Sequence, residues 1–265
     1  MSEALRLEGV ERVITEPRIA AGMSVRNRRK SLSHIMAFTR AKLSISRAVN
    51  SIDARQFSDF RQRYKDAQVA EGGYSKYLNL RQWFSQKLSY VYLLGLHRSR
   101  PLKILDLGTG PGYFPYLCSL YGHNVQALDL DVVPMYNDLC RFLKVKRTTW
   151  RINPFEPLPN LGSKFDLVTA FMIKFNQHDL PEQWGVKEWD FMLDDIQKNQ
   201  LNPGGRLFLD FNTCRDGTWF DESLIQFFIK RSARIYRCHV DIGGPAPNRL
   251  MHSLDRLFAG SVMIP

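Results

Sequence analysis

Between Ile104 and Phe114 the chain reads Ile-Leu-Asp-Leu-Gly-Thr-Gly-Pro-Gly-Tyr-Phe, which sets Gly108, Gly110 and Gly112 directly behind a short apolar run. Glycines at that spacing let the backbone turn sharply and approach a ligand with no Cβ in the way. A helix opening at Tyr113 would add its positive N-terminal end, so the turn suits a nucleotide-type ligand. Asp106 precedes the first glycine by two residues. Asp129, in Ala127-Leu128-Asp129-Leu130-Asp131, ends the next apolar run, where a carboxylate can accept both hydroxyls of a ribose. Asn153 follows a third extended segment and, standing before Pro154, also suits a plain turn. A later stretch, Phe171 to Asp179, carries Lys174, Asn176 and His178. His178 has the side chain best suited to act as a general base, with an ordinary pKa of about 6.5; packing against a ligand or capping a helix is the competing role.

These groups must be held by an alternating pattern of strands and helices. Strands are expected over 103–107, 125–130, 148–152, 165–171, 206–211 and 234–240. Helices are expected over 113–121, 133–143, 188–200 and 221–231. That alternation implies a parallel sheet with right-handed crossovers, an α/β, doubly wound domain. Upstream, 56–69 and 78–96 read as helices broken by Gly72-Gly73. The expected organisation is a basic extension over 1–54 and a domain over 55–265. Within that domain 55–100 is a helical cap, and 101–240 is the ligand-binding core.

On these motifs the chain resembles the class I S-adenosylmethionine-dependent methyltransferases from about residue 100 to 240. The match is carried by Asp106-x-Gly108-x-Gly110-x-Gly112, Asp129, Leu158-Pro159 before Phe165-Asp166-Leu167-Val168, and Leu201-Asn202-Pro203-Gly204-Gly205-Arg206 before the fifth strand. The resemblance implies a Rossmann-like fold and S-adenosyl-L-methionine as cofactor. Gly108 and Gly110 would let the backbone pack against its methionine part, with Asp106 facing the ammonium directly or through water and Thr109 and Gly112 also among the cofactor-binding residues. Asp129 would hold the ribose hydroxyls and Leu130 would pack on the adenine. Asn153 stands where the family often has an aspartate at the adenine amine. In similar proteins a segment upstream folds over the cofactor, which makes Tyr74 and Tyr77 candidates for covering it, with core packing the alternative. Trp184 and Trp189 either line an acceptor pocket or anchor their loop. A nicotinamide fingerprint would want a small residue where Tyr113 stands.

The expected activity is methyl transfer to an oxygen or nitrogen of a small-molecule or glycan-type acceptor. The alternatives are an RNA methyltransferase that uses the basic arm, and a non-catalytic binding protein on the same fold. Net charge is +11, yet residues 101–265 hold 18 basic and 18 acidic side chains, so all the excess lies in the first 100 residues. From Pro17 to Ile52 there is no acid, and Leu32, Ile35, Met36 and Leu43 recur at helical spacing among arginines. Such an arm could lie on RNA, on an anionic membrane or on its own domain. The (Asn/Asp)-Pro-Pro-aromatic motif of amino-directed nucleic-acid methyltransferases does not follow the fourth strand, which disfavours a nucleic-acid base as acceptor. The 12% aromatic content excludes disorder throughout. Cys118, Cys140, Cys214 and Cys238 show no paired or ligand-like spacing. They read as reduced thiols of a cytoplasmic protein, with no metal site expected.

Overall fold

The computed structural model describes residues 43–65, 74–172, 183–212, 218–236 and 238–243. Five parallel strands form the body of one sheet: β1 (Lys103–Leu107), β2 (Asn124–Asp129), β3 (Lys146–Thr149), β4 (Phe165–Phe171) and β5 (Leu201–Asp210). Two short strands complete it, β6 (Arg234–Tyr236) and β7 (His239–Ile242). The order across the sheet is β3-β2-β1-β4-β5-β7-β6, and β7 runs antiparallel to both its neighbours. Besides a short helix over 43–50, the described α-helices are α1 (Ala54–Lys65), α2 (Leu80–Leu93), α3 (Tyr113–Ser119), α4 (Pro134–Phe142), α5 (Val186–Asp195) and α6 (Glu222–Lys230).

Both faces of the sheet are covered, which is why β1 and β4 are near-continuous apolar runs rather than alternating ones. Ile104, Leu167 and Phe208 pack on one face with Phe84 and Leu88 of α2 and Phe114 and Leu117 of α3. Leu105, Val168 and Leu209 pack on the other with Trp189 and Leu193 of α5 and Phe228 of α6. The fold is therefore α/β and doubly wound, class I methyltransferase-like. The chain steps outward from β1 to β3 and then returns to β4 on the other side. That reversal opens a crevice at the carboxyl ends of β1 and β4.

Three strands differ from expectation. β3 is Lys146–Thr149 rather than 148–152: Trp150 N–H still bonds Asp129 O (2.9 Å), and the chain then leaves the sheet. A short polar edge strand has little apolar signal to mark it. β5 starts at Leu201, five residues early, because its ladder to β4 jumps from Phe165↔Leu201 to Leu167↔Arg206. The Pro203-Gly204-Gly205 turn, with Gly204 at φ 73°, bulges within the strand instead of preceding it. The expected single strand over 234–240 folds back on itself into β6 and β7. Asp241, 1% exposed, fixes this hairpin by accepting from Arg206 (2.8 and 3.0 Å) and from Arg234 (2.8 Å).

Of the extension expected over 1–54, residues 43–54 are described: 43–50 is helical, 51–53 turns, and Ala54 opens α1. Its apolar face differs from the expected one, since Leu43 is 70% exposed while Ile45 and Ala48 join the α2-side core. No described helix is long and apolar enough to cross a membrane.

Candidate functional site

The glycine turn lies in the crevice between β1 and β4. Gly108 and Thr109 donate their N–H groups to Leu128 O (2.8 and 3.2 Å), stitching the turn to β2. Gly110 has φ +57°, and a Cβ there would come no nearer than 3.8 Å, to the Tyr136 ring. This glycine therefore serves backbone conformation and approach rather than packing. Gly112 differs: at φ +77° its Cβ would lie 2.9 Å from Cys140 Sγ and 3.2 Å from Val145 Cγ2. Gly112→Ala should cost about 2–4 kcal/mol, from an unfavourable φ and an overpacked α3–α4 contact. Adding Cys140→Ala should relieve the closer of the two contacts and so restore part of the packing loss, as read from urea midpoints. A single-variant loss below about 0.5 kcal/mol would contradict the contact.

Two carboxylates converge on this turn. Asp106, 2% exposed on β1, accepts from Thr109 Oγ1 (2.7 Å) and, across the sheet, from Thr169 Oγ1 of β4 (2.7 Å). Burial drives its pKa up to about 6, against the pull of both hydroxyls and the Lys87 ammonium. Asp129 accepts from Gly110 N–H through Oδ2 (2.5 Å) and from Leu130 N–H through Oδ1 (2.7 Å). Burial raises its pKa too, opposed by those two amides and by Arg147. Each carboxylate oxygen has a second lone pair, so all four retain capacity to accept from a ligand.

Above the turn stands an aromatic wall. Tyr74 and Tyr77, from the short 3₁₀ turn Tyr74–Leu78, meet the Tyr136 ring of α4 edge-on at 5.4 and 5.3 Å. Tyr113 O–H donates to Tyr77 O (2.5 Å), tying the cap to the first residue of α3. Trp83 N–H bonds Lys76 O (2.7 Å), with its ring 4.4 Å from that of Tyr77. Leu130 is half-buried, and its carbonyl accepts from the Arg147 guanidinium, which also donates to Asn137. Asn153 is not drawn into this group by a direct bond; its amide donates to Glu156 (2.8 Å), as in a turn.

Beside Asp106, Lys87 of α2 reaches over the carboxyl edge of the sheet, its Nζ 4.4 Å from the Phe171 ring centroid. Burial lowers its pKa, offset by Asp106 and Asp210. Tyr90 donates to Asp210, and His239 lies 3.3 Å from the same carboxylate. At the end of β4, Met172 takes φ 53°, uncommon for a residue with a Cβ, as the chain leaves the sheet. His178, Lys174 and Asn176 lie outside the described residues. Trp184 and Trp189 are 7% and 2% exposed in the α5–α6 core, their rings 5.4 Å apart. They anchor their segment there. Thr169, Tyr136, Arg147 and Lys87 were not singled out from the sequence. Thr169 alone left a trace, a polar residue in the interior of a strand that is apolar from Leu167 to Phe171 apart from it. A cleft of about 400 Å³ lined by Leu193, Leu201 and Gly204 lies at the opposite end of the strands and contains none of these groups.

Comparison with known proteins gives likeness in structure alone. No protein-family model and no curated protein matches the chain. A glycopeptide N-methyltransferase, MtfA, solved with sinefungin, is similar at 15% identity and TM-score 0.36, over 50% of this chain and 55% of that one. Streptomyces venezuelae DesVI shows 14% and 0.39, over 51% and 53%. CalS10, a SAM-bound amino pentose methyltransferase from Micromonospora echinaspora, shows 23% and 0.37, over 56% and 55%. The chain spans about half the length of these proteins. The class of the fold rests on its own strand order and reversed β7.

Proposed function

We propose that this protein is an S-adenosylmethionine-dependent methyltransferase acting on an oxygen or nitrogen of a small-molecule or glycan-type acceptor. One observation carries the reading: Asp106 and Asp129, both with spare lone pairs, are bonded to one left-handed glycine turn at the switch point of the sheet. The fit is chemical. An ammonium and a pair of vicinal hydroxyls are what two buried carboxylates on such a turn can satisfy, and Gly110 leaves the backbone bare between them. In this reading Asp106 takes the ammonium of the methionine part, and Gly108, Thr109, Gly110 and Gly112 form its cradle. Asp129 takes the ribose hydroxyls. Leu130 lies against adenine, Asn153 sits near the adenine amine, and Tyr77 with Tyr74 and Tyr136 covers the site.

When bound, S-adenosylmethionine supplies an electrophilic methyl group on a sulfonium centre. The chain's part is to bind, align and keep out water, since an in-line displacement that dissipates positive charge needs little else. A base is required only for an acceptor that must lose a proton, and His178 is the residue assigned to that role. The neutral balance of residues 101–265 supports an acceptor other than a phosphate backbone.

Calorimetric titration tests the reading without knowledge of the acceptor. S-adenosylmethionine and S-adenosylhomocysteine should bind with Kd values of roughly 1–100 μM. NAD⁺ and ATP should bind at least about tenfold more weakly. No heat from S-adenosylmethionine at millimolar concentration, or tighter binding of NAD⁺, would sink it.

A further inference from the structure

Asp210 closes β5, and antiparallel pairing places His239 of β7 directly across the ladder from it. Cys238 sits in the turn just before β7, its carbonyl held by Phe211 N–H (2.8 Å). One ligand atom from each of Asp210, Cys238 and His239 lies within 4.8 Å of the others. Asp210 Oδ1 is 3.3 Å from His239 Nδ1, and the side chains are 4% and 12% exposed. Cys238 Sγ is 3.6 Å from Nδ1 and 3.8 Å from Nε2. Surrounding groups hold the set in place. Tyr90 O–H donates to the other Asp210 oxygen, and the His239 ring rests against Phe208, centroids 5.3 Å apart.

We propose that Asp210, Cys238 and His239 bind one Zn²⁺ ion through a carboxylate oxygen, an imidazole nitrogen and a thiolate, leaving a fourth position for water or a substrate atom. The donor set chooses the ion. Calcium and magnesium take oxygen ligands, whereas zinc accepts oxygen, nitrogen and sulfur together. An oxygen and a nitrogen about 2.0–2.1 Å from a tetrahedral zinc are about 3.3 Å apart, which is the spacing Asp210 and His239 already have. The thiol lies beside the imidazole ring, so closing on the ion takes a rotation about its Cα–Cβ bond toward Asp210. Cys238 is half-buried against the α5–α6-side core, and the rotation draws its sulfur from that contact to the ion. The thiol proton passes to solvent as the sulfur binds. Tyr90 then acts as an outer-shell partner that orients the carboxylate. The site shares the carboxyl edge of the sheet with Asp106, two strands away, but the assignment does not depend on the cofactor reading.

The Lys87 ammonium of α2 is held up in pKa by Asp210, against the pull of burial, so it competes with a bound cation for the same carboxylate. This gives the test a second direction. The full-length chain, stripped with chelator and titrated with Zn²⁺ at pH 7.5, should take up one equivalent with Kd below about 1 μM. Cys238→Ser and His239→Ala should each weaken this at least about 100-fold, with circular dichroism unchanged. Lys87→Met, which removes a competing charge, should tighten it about tenfold. Co²⁺ in place of Zn²⁺ should give a thiolate charge-transfer band that Cys238→Ser abolishes. No uptake at about 100 μM Zn²⁺ overturns the site, as does uptake that persists in the Cys238→Ser/His239→Ala double variant.

Discussion

Asp106→Asn should make the protein more stable and at the same time impair its hold on the cofactor. The unfolded carboxyl titrates near 3.9, whereas burial raises the folded value to about 6. Between those values the folded state keeps a proton that the unfolded state has lost. Folding stability therefore falls as pH rises from about 4 to 6, and the loss is complete above 6. Two units correspond to about 3 kcal/mol of destabilisation at neutral pH. Asparagine cannot ionise, so at pH 7.5 the variant should gain up to that amount. The gain is reduced because Asn has one carbonyl oxygen where Asp106 offers two to Thr109 and Thr169, and one hydroxyl must turn to accept. In a domain of this size the gain corresponds to roughly 5–10 °C in Tm. The gap between wild type and variant should be absent at pH 4 and open between 4 and 6. S-adenosylmethionine affinity should fall roughly 10- to 100-fold, the value of a hydrogen bond to a charged partner. A pH-independent gap would contradict the buried-charge argument; unchanged affinity would contradict the ammonium assignment.

That a charged residue sits where it weakens the fold explains why part of the site was readable from sequence. Asp106, Gly108, Gly110 and Asp129 depend on positions within one strand–turn–helix unit or at the end of the next strand, so their spacing carries the information. The wall and its supports do not. Tyr136 meets Tyr77 across 59 residues, Thr169 meets Asp106 across 63, and Lys87 reaches the Phe171 ring from a helix whose apolar face dominates its pattern. Those contacts exist only once the sheet order is set. The same holds for β7: nothing local distinguishes a continuing strand over 234–240 from a hairpin. The reversal is fixed by Asp241 drawing Arg206 and Arg234 together from different strands. The shift of β5 has the opposite cause. Pro203-Gly204-Gly205 is a strong turn signal, and the turn forms, but as a bulge inside a ladder that the flanking residues maintain.

Asp129→Ala should lower S-adenosylmethionine affinity roughly 100- to 1000-fold, through the loss of two charge-assisted bonds to the ribose hydroxyls. The same substitution removes the acceptor of the Gly110 and Leu130 N–H groups, at a further cost of about 1–3 kcal/mol in stability. A weakened ligand alone would therefore not distinguish recognition from a collapsed turn. A double cycle does, with the 2′-deoxy analogue of S-adenosylhomocysteine as probe. If Asp129 binds the ribose, removing the 2′-hydroxyl should cost the wild type about tenfold or more and the alanine variant almost nothing, since its partner is already gone. If Asp129 only braces the turn, the two losses should add. Asp129→Asn refines the reading. Its carbonyl can still accept from Gly110 N–H but leaves Leu130 N–H facing an amide NH2, so the stability cost should be smaller than in the alanine variant but not zero. With half the acceptor capacity and no charge, affinity should still fall about tenfold or more. Additive losses in the cycle, together with a folded asparagine variant of normal affinity, would remove Asp129 from the site and leave it a structural clamp between the glycine turn and β2.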